Sequence, residues 1–242
     1  MIDVHELSRT FGDTVAVDRL SFTVRPGRVT GFLGPNGAGK STTLRMILGL
    51  ERPSAGAALI DGRPYRELDR PPHRVGALLA AGDTHHGRRA VDHLRWLARA
   101  GDIPEARVAR VLELTGLASV ARRRTGGFSL GMAQRLGIAA ALLGDPGVLL
   151  LDEPVNGLDP EGVVWLRTLL RELAAEGRTV LLASHLMSEM ALTAEHLVVI
   201  GRGRLLADAS VRAFVDDNCG VRVAVRTPTP DPLRSALERE LS

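Results

Sequence analysis

Apolar positions along this chain fall into two rhythms. Short strand-like runs are predicted over residues 2–7, 20–24, 29–33, 57–60 and 75–79, separated by Gly-Asp and Pro-Gly turns in the first part. Residues 41–50 instead carry apolar side chains at helical spacing. From about 84 to 143 the helical rhythm dominates, with the clearest helices expected over 90–98, 105–115 and 132–143. Strands return at 148–151, 179–183, 196–200 and 204–207, interleaved with helices over 162–175 and 186–192. Residues 221–225 read as one more strand, 227–230 as a linker and 233–241 as a helix. Strands alternating with helices imply an α/β fold whose mostly parallel sheet is covered on both faces. Ahead of it lies an N-terminal antiparallel β part, and a helical insertion occupies the middle.

Composition narrows the class. The 242 residues suit one large or two small domains. Hydrophobic content of 45% and charged content of 24% are ordinary for a soluble globular protein. The net charge of +3 comes without a basic block, so no nucleic-acid partner is expected. Arg122-Arg123-Arg124 reads as a solvated face. Cys219 stands alone, which excludes an intrachain disulfide and a cysteine zinc site and fits a reducing compartment. The chain opens directly on a strand-like run with no basic-then-apolar leader, and no apolar run approaches the roughly 20 residues a membrane span needs. A membrane role would therefore require spanning helices from another chain.

One lysine stands among the 31 basic residues, and it is Lys40. It lies in Gly34-Pro35-Asn36-Gly37-Ala38-Gly39-Lys40-Ser41, which fits the G-x-x-x-x-G-K-[ST] phosphate-binding loop. A strand before it and a helix after it supply the required context. An ammonium is a compact point charge that fits between phosphate oxygens, where a planar guanidinium would not. Glycines let successive amides converge on one anion at the positive end of the helix. Ser41 is expected on Mg²⁺, with Thr42 as a further phosphate contact. Alone, this loop says only nucleoside triphosphate.

Two more elements follow. The strand 148–151 ends in Asp152-Glu153. Carboxyl ends of parallel strands face the ligand crevice, so Asp152 is placed to hold Mg²⁺ and Glu153 to act as general base on water. An acidic helix start after a core strand is the plainer alternative. About twenty residues upstream lies Phe128-Ser129-Leu130-Gly131-Met132. By itself it reads equally well as a helix capped by Ser129.

Together, in this order and spacing, the three elements resemble the nucleotide-binding subunit of an ABC transporter over about residues 1–215. The resemblance implies ATP and Mg²⁺ as cofactors. It places Phe11 against adenine, Gly34 to Thr42 around the phosphates, and Asp152 and Ser41 on the metal. It also makes Gly157, Leu158 and Asp159 part of the D-loop, and puts His185 on the γ-phosphate. Ser129, Leu130, Gly131 and Met132 would be the signature, offered in trans within an ATP-dependent head-to-tail dimer. A separate transmembrane permease is the implied partner, with this subunit peripheral at the cytoplasmic face of the cell membrane. A member of the class that acts on DNA or ribosomes would bring a long coiled coil, a second phosphate loop or a cysteine-rich module, and none is present in this sequence.

Two departures stand out. The usual signature is Leu-Ser-Gly-Gly-Gln; Leu130 and Met132 replace a glycine and the glutamine, as in drug- and peptide-antibiotic exporters built from separate chains. At the Q-loop the expected glutamine is Ala80, followed by Ala81-Gly82-Asp83, with Asp83 as a substitute if the loop is remodelled. Residues 216–242 look like the start of a C-terminal appendage.

Overall fold

In a parallel sheet buried on both sides, each strand must supply apolar residues to both faces. The computed structural model, which describes residues 1–80 and 84–218, shows this residue by residue. In β6 (Val148–Asp152), Val148 and Leu150 join one core while Leu149 and Leu151 join the other. In β7 (Thr179–Ser184), Val180 and Leu182 face one way, Leu181 and Ala183 the other. The period-two geometry of a strand makes this division automatic.

The chain order is β1 (Ile2–Phe11), β2 (Thr14–Val24), β3 (Arg28–Leu33), α1 (Lys40–Ile47), β4 (Ala55–Ile60), α2 (Pro71–Arg74) and β5 (Val75–Leu78). The helices α3 (Ala90–Ala100), α4 (Ala106–Leu114) and α5 (Leu130–Ala141) form the insertion. After β6 come α6 (Pro160–Ala175), β7, α7 (Met187–Thr193), β8 (His196–Gly201), β9 (Arg204–Ser210) and α8 (Val211–Asn218). The larger sheet runs β5-β6-β7-β3-β8-β9, parallel except for β9. The smaller sheet, β2-β1-β4, is antiparallel. It shares one core with α1, and the helices of the insertion share the other core with α6 and α7.

Several bounds differ from the sequence pattern. β1 runs on to Phe11 and β2 starts at Thr14, because the two strands close a hairpin with Phe11 opposite Thr14. Of residues 14–19 only Val17 is buried, so backbone pairing holds this stretch where the apolar pattern shows little. The short α2 begins on Pro71-Pro72, where a missing N–H costs the first helical turn nothing. α8 crosses residue 215, the expected edge of the ATPase domain; Val211 and Phe214 pack on the core and the Val211 amide donates to the Glu195 carbonyl at 3.1 Å. The expected loop role of Asp83, the lone Cys219, and the elements over 221–225, 227–230 and 233–241 lie outside the described residues.

Leu150 is fully buried on a central strand. Leu150→Ala should cost about 2–5 kcal/mol of folding stability, read as a lower midpoint in urea unfolding at unchanged slope.

Candidate functional site

Register decides which side chains meet. β7 lies between β6 and β3, with Asp152 level with Ala183 and Leu33 level with Ser184. Three strands therefore end together, and the loop after β3 turns over those ends into α1. Gly39 makes that turn. It caps α1 with φ 103°, and a Cβ there would lie 2.6 Å from the Ala16 carbonyl oxygen, so only glycine fits.

The result is a cleft of about 210 Å³ lined by Asn36, Gly37, Gly39, Lys40, Ser41, Thr42, Asp152 and Glu153, together with Ala16. Lys40 is 6% exposed, and its ammonium donates to the carbonyls of Gly34 (2.6 Å) and Pro35 (3.3 Å). Its Nζ also lies 3.7 Å from Glu153 Oε1. These partners stabilise a charge that would be costly to bury alone. The amides at the start of α1 have no partner within the helix, and they meet the cleft together with the ammonium. The arrangement is a cradle for an anion carrying several oxygens.

The acidic side is as closely held. The Ser41 hydroxyl donates to Asp152 Oδ2 at 2.5 Å, while Asp152 Oδ1 is buried with no partner. Burial pushes the Asp152 carboxyl above the usual carboxylate value and the Glu153 charge adds to this, whereas the Ser41 hydrogen bond and Lys40 act in the opposite direction. Glu153 sits at φ 46°, in the left-handed region that non-glycine residues seldom adopt. Its Oε1 lies 2.9 Å from His185 Nδ1, and its Oε2 accepts from the Ser184 hydroxyl at 3.2 Å. A carboxylate fixed on both oxygens beside a phosphate-sized cleft can orient and deprotonate a water.

The structure thus brings together the phosphate loop, Asp152, Glu153 and His185. It leaves Phe11 apart: the ring is 46% exposed at the end of β1, outside the cleft lining, with the Arg9 guanidinium 4.4 Å over its centroid. Ser129, Leu130, Gly131 and Met132 are also outside the lining. Ser129 caps α5, accepting from the Met132 amide at 3.2 Å, and Leu130 is 62% exposed beside it. In the D-loop, Asp159 caps α6 through the Gly162 amide at 2.9 Å, and Gly157 and Leu158 pass under Gly131. Sequence reasoning missed Ser184 and Gln134, whose side chains reach Glu153. Ser184 directly precedes His185, the one available hint; nothing in the helical pattern around Gln134 marks it.

The family model described as ABC transporter matches residues 17–156. The Nod factor export ATP-binding protein I of Burkholderia orbicola is 38% identical, over 100% of this chain and 80% of that protein. The bacitracin transport ATP-binding protein BcrA of Bacillus licheniformis is 39% identical, over 86% of this chain and 69% of its own length. A solved ATP-binding subunit of an ABC transporter superposes with a TM-score of 0.82 at 27% identity, covering 98% of this chain and 99% of that one. The chain belongs to the ABC transporter family, as an ATP-binding and ATP-hydrolysing subunit related to those of export systems.

Proposed function

We propose that this subunit hydrolyses ATP to drive a separate permease from the cytoplasmic face of the cell membrane, moving a drug, antibiotic or peptide outward. The convergence of Lys40, Ser41, Asp152 and Glu153 on one cleft, with His185 bonded to Glu153, carries the reading. Kinship with Nod factor and bacitracin subunits supports export. Residues 1–215 are proposed as the ATPase domain, and 216–242 as an appendage.

Gly34 to Thr42 would wrap the phosphates, with Lys40 turning from the Gly34 and Pro35 carbonyls to phosphate oxygens. Phe11 would stack on adenine with the ring face that Arg9 leaves open. Ser41 and Asp152 would hold Mg²⁺; two hard oxygen donors, one of them a buried carboxylate oxygen without a partner, suit that cation. When bound, Mg²⁺ offsets the charge developing on the phosphate oxygens. Glu153 takes a proton from water as the oxygen attacks the γ-phosphorus. The bond to the leaving ADP oxygen breaks, and phosphate departs. His185 orients Glu153 through Nδ1 and offers its other ring nitrogen to the γ-phosphate.

Ser129 and Leu130 are exposed on the same chain without lining the cleft. A second copy, head to tail, would supply Ser129, Leu130, Gly131 and Met132, with Gly157, Leu158 and Asp159 at the seam. The serine hydroxyl and the amides opening α5 suit a phosphate approached from across an interface.

Three outcomes test this. Lys40→Ala should weaken Mg-ATP binding by about 10- to 100-fold, the loss of charged hydrogen bonds, in a fluorescent-nucleotide titration; unchanged affinity sinks the phosphate-loop assignment. Glu153→Gln should bind ATP normally, lose about 10²- to 10⁴-fold in turnover, and elute as an ATP-trapped dimer in size exclusion.

The third concerns Asp152. Its folded carboxyl holds a proton more tightly than the unfolded 3.8. Apo stability therefore falls as pH rises from that value through the raised one, since the folded state binds more protons there. Asp152→Asn should raise the apo melting temperature at pH 7, by about 2–4 °C per kcal/mol gained, and the gap should close in acid, where wild-type Asp152 is itself neutral. The variant should lose the thermal shift that Mg-ATP gives the wild type.

A further inference from the structure

Glu153 is held in a conformation that its own chemistry disfavours, and such a residue persists only where its surroundings over-determine it. Its amide donates to the Ala183 carbonyl at 2.9 Å. Its carboxylate is fixed by Ser184 and His185. Its carbonyl accepts from the Asn156 amide at 3.2 Å and from Gln134 Nε2 at 3.4 Å. The other tethers belong to the strand ends, to the turn after β6, or to Lys40 at the start of α1. Gln134 comes from α5, in the helical insertion, and is 2% exposed. A buried amide in an apolar helix is retained only with a partner.

Gln134 is part of a longer seam. A Cβ at Gly157 would lie 2.3 Å from Leu130 Cγ, and one at Gly131 would lie 2.8 Å from the Gly157 carbonyl oxygen. One turn further along, the Arg135 guanidinium stacks 4.2 Å over the ring of Trp165 in α6. The first two turns of α5 thus ride on residues 153–165 of the same chain. Ser129, at the head of this helix, faces away to solvent.

We propose that Gln134 is a positioning residue that ties Glu153 to the signature helix. When Ser129 takes the γ-phosphate held by a second copy, the shift of α5 reaches Glu153 of its own chain through Gln134, and Leu130 on Gly157 keeps helix and loop in step. Engagement at one site thereby readies the base of the other. This rests on the reading of Glu153 as base and Ser129 as the contact made in trans.

The test compares Gln134→Met, which keeps length and burial but has no donor, with Gln134→Asn, which keeps the amide but lacks the reach. Turnover number should fall about tenfold in both, since small misplacements of a reacting group are costly. The KM for ATP and the Mg-ATP affinity should stay within about twofold of wild type, the mark of an effect confined to the chemical step. Wild-type turnover in both variants would overturn the proposal. So would parallel loss of turnover and nucleotide affinity, which would make Gln134 a structural residue only. Glu153→Gln is assayed alongside: if it turns over normally, the base assignment falls and takes this role with it. If Glu153→Gln is inactive while both Gln134 variants are fully active, the positioning role alone is lost.

Discussion

The hydrogen bond from Ser41 to Asp152 joins residues 111 positions apart, and the site exists only if it can form. It depends on β6, β7 and β3 ending level, which is a matter of register. Register in turn is set by the two cores. Sliding β6 by one residue would exchange Leu149 and Leu151 for Val148 and Leu150 on each face and carry Asp152 out of line with Ala183. Because both faces of these strands are buried in apolar residues of different size, such a slip would disturb packing on both sides of the sheet. The cores thus fix the chemistry at the strand ends without touching it.

That arrangement places charge where water is scarce. Lys40 is solvated by backbone carbonyls, which can be exchanged for phosphate oxygens without a change of fold. Asp152 keeps one oxygen with no partner, and burial, with the nearby Glu153 charge, disfavours its charged form. A triphosphate and a cation held between them, as proposed above, would satisfy both groups. The left-handed backbone at Glu153 belongs to the same pattern, at a residue whose carboxylate lines the cleft. Function here lowers the stability of the empty site, and the apolar cores on both sides of the sheet offset it.

Elements whose meaning is local were legible in the sequence. The phosphate loop, the acidic strand end and the capped start of α5 each need only neighbouring residues, and the structure puts the first two in one cleft. What the sequence did not disclose is long-range or carried by backbone. The first half of β2 has Val17 as its buried anchor and otherwise depends on backbone pairing with β1 and on Asp18, which bonds to Gly203 and Arg204, so apolar periodicity is nearly silent there. Gln134 and Ser184 matter through contacts 19 and 31 residues away. Phe11 is exposed beside its own Arg9, outside the lining of the phosphate-side cleft.

The departures in the signature and the Q-loop follow from the same geometry. Met132 contributes its amide to the Ser129 cap, so the cap is indifferent to the loss of a glutamine side chain at that position. Leu130 is different, because its side chain fills the space over Gly157. A glycine there would leave that space empty, and any side chain at 157 would collide with the leucine. The two positions form a matched large-small pair joining signature and D-loop within one chain. Ala80 has no side chain able to reach toward water or metal and is exposed at the end of β5. The groups that fix the carboxylate side of the cleft are instead Ser184, His185, Lys40 and Gln134. Among the described residues, Gln134 of α5 is the side chain of the helical insertion that reaches Glu153.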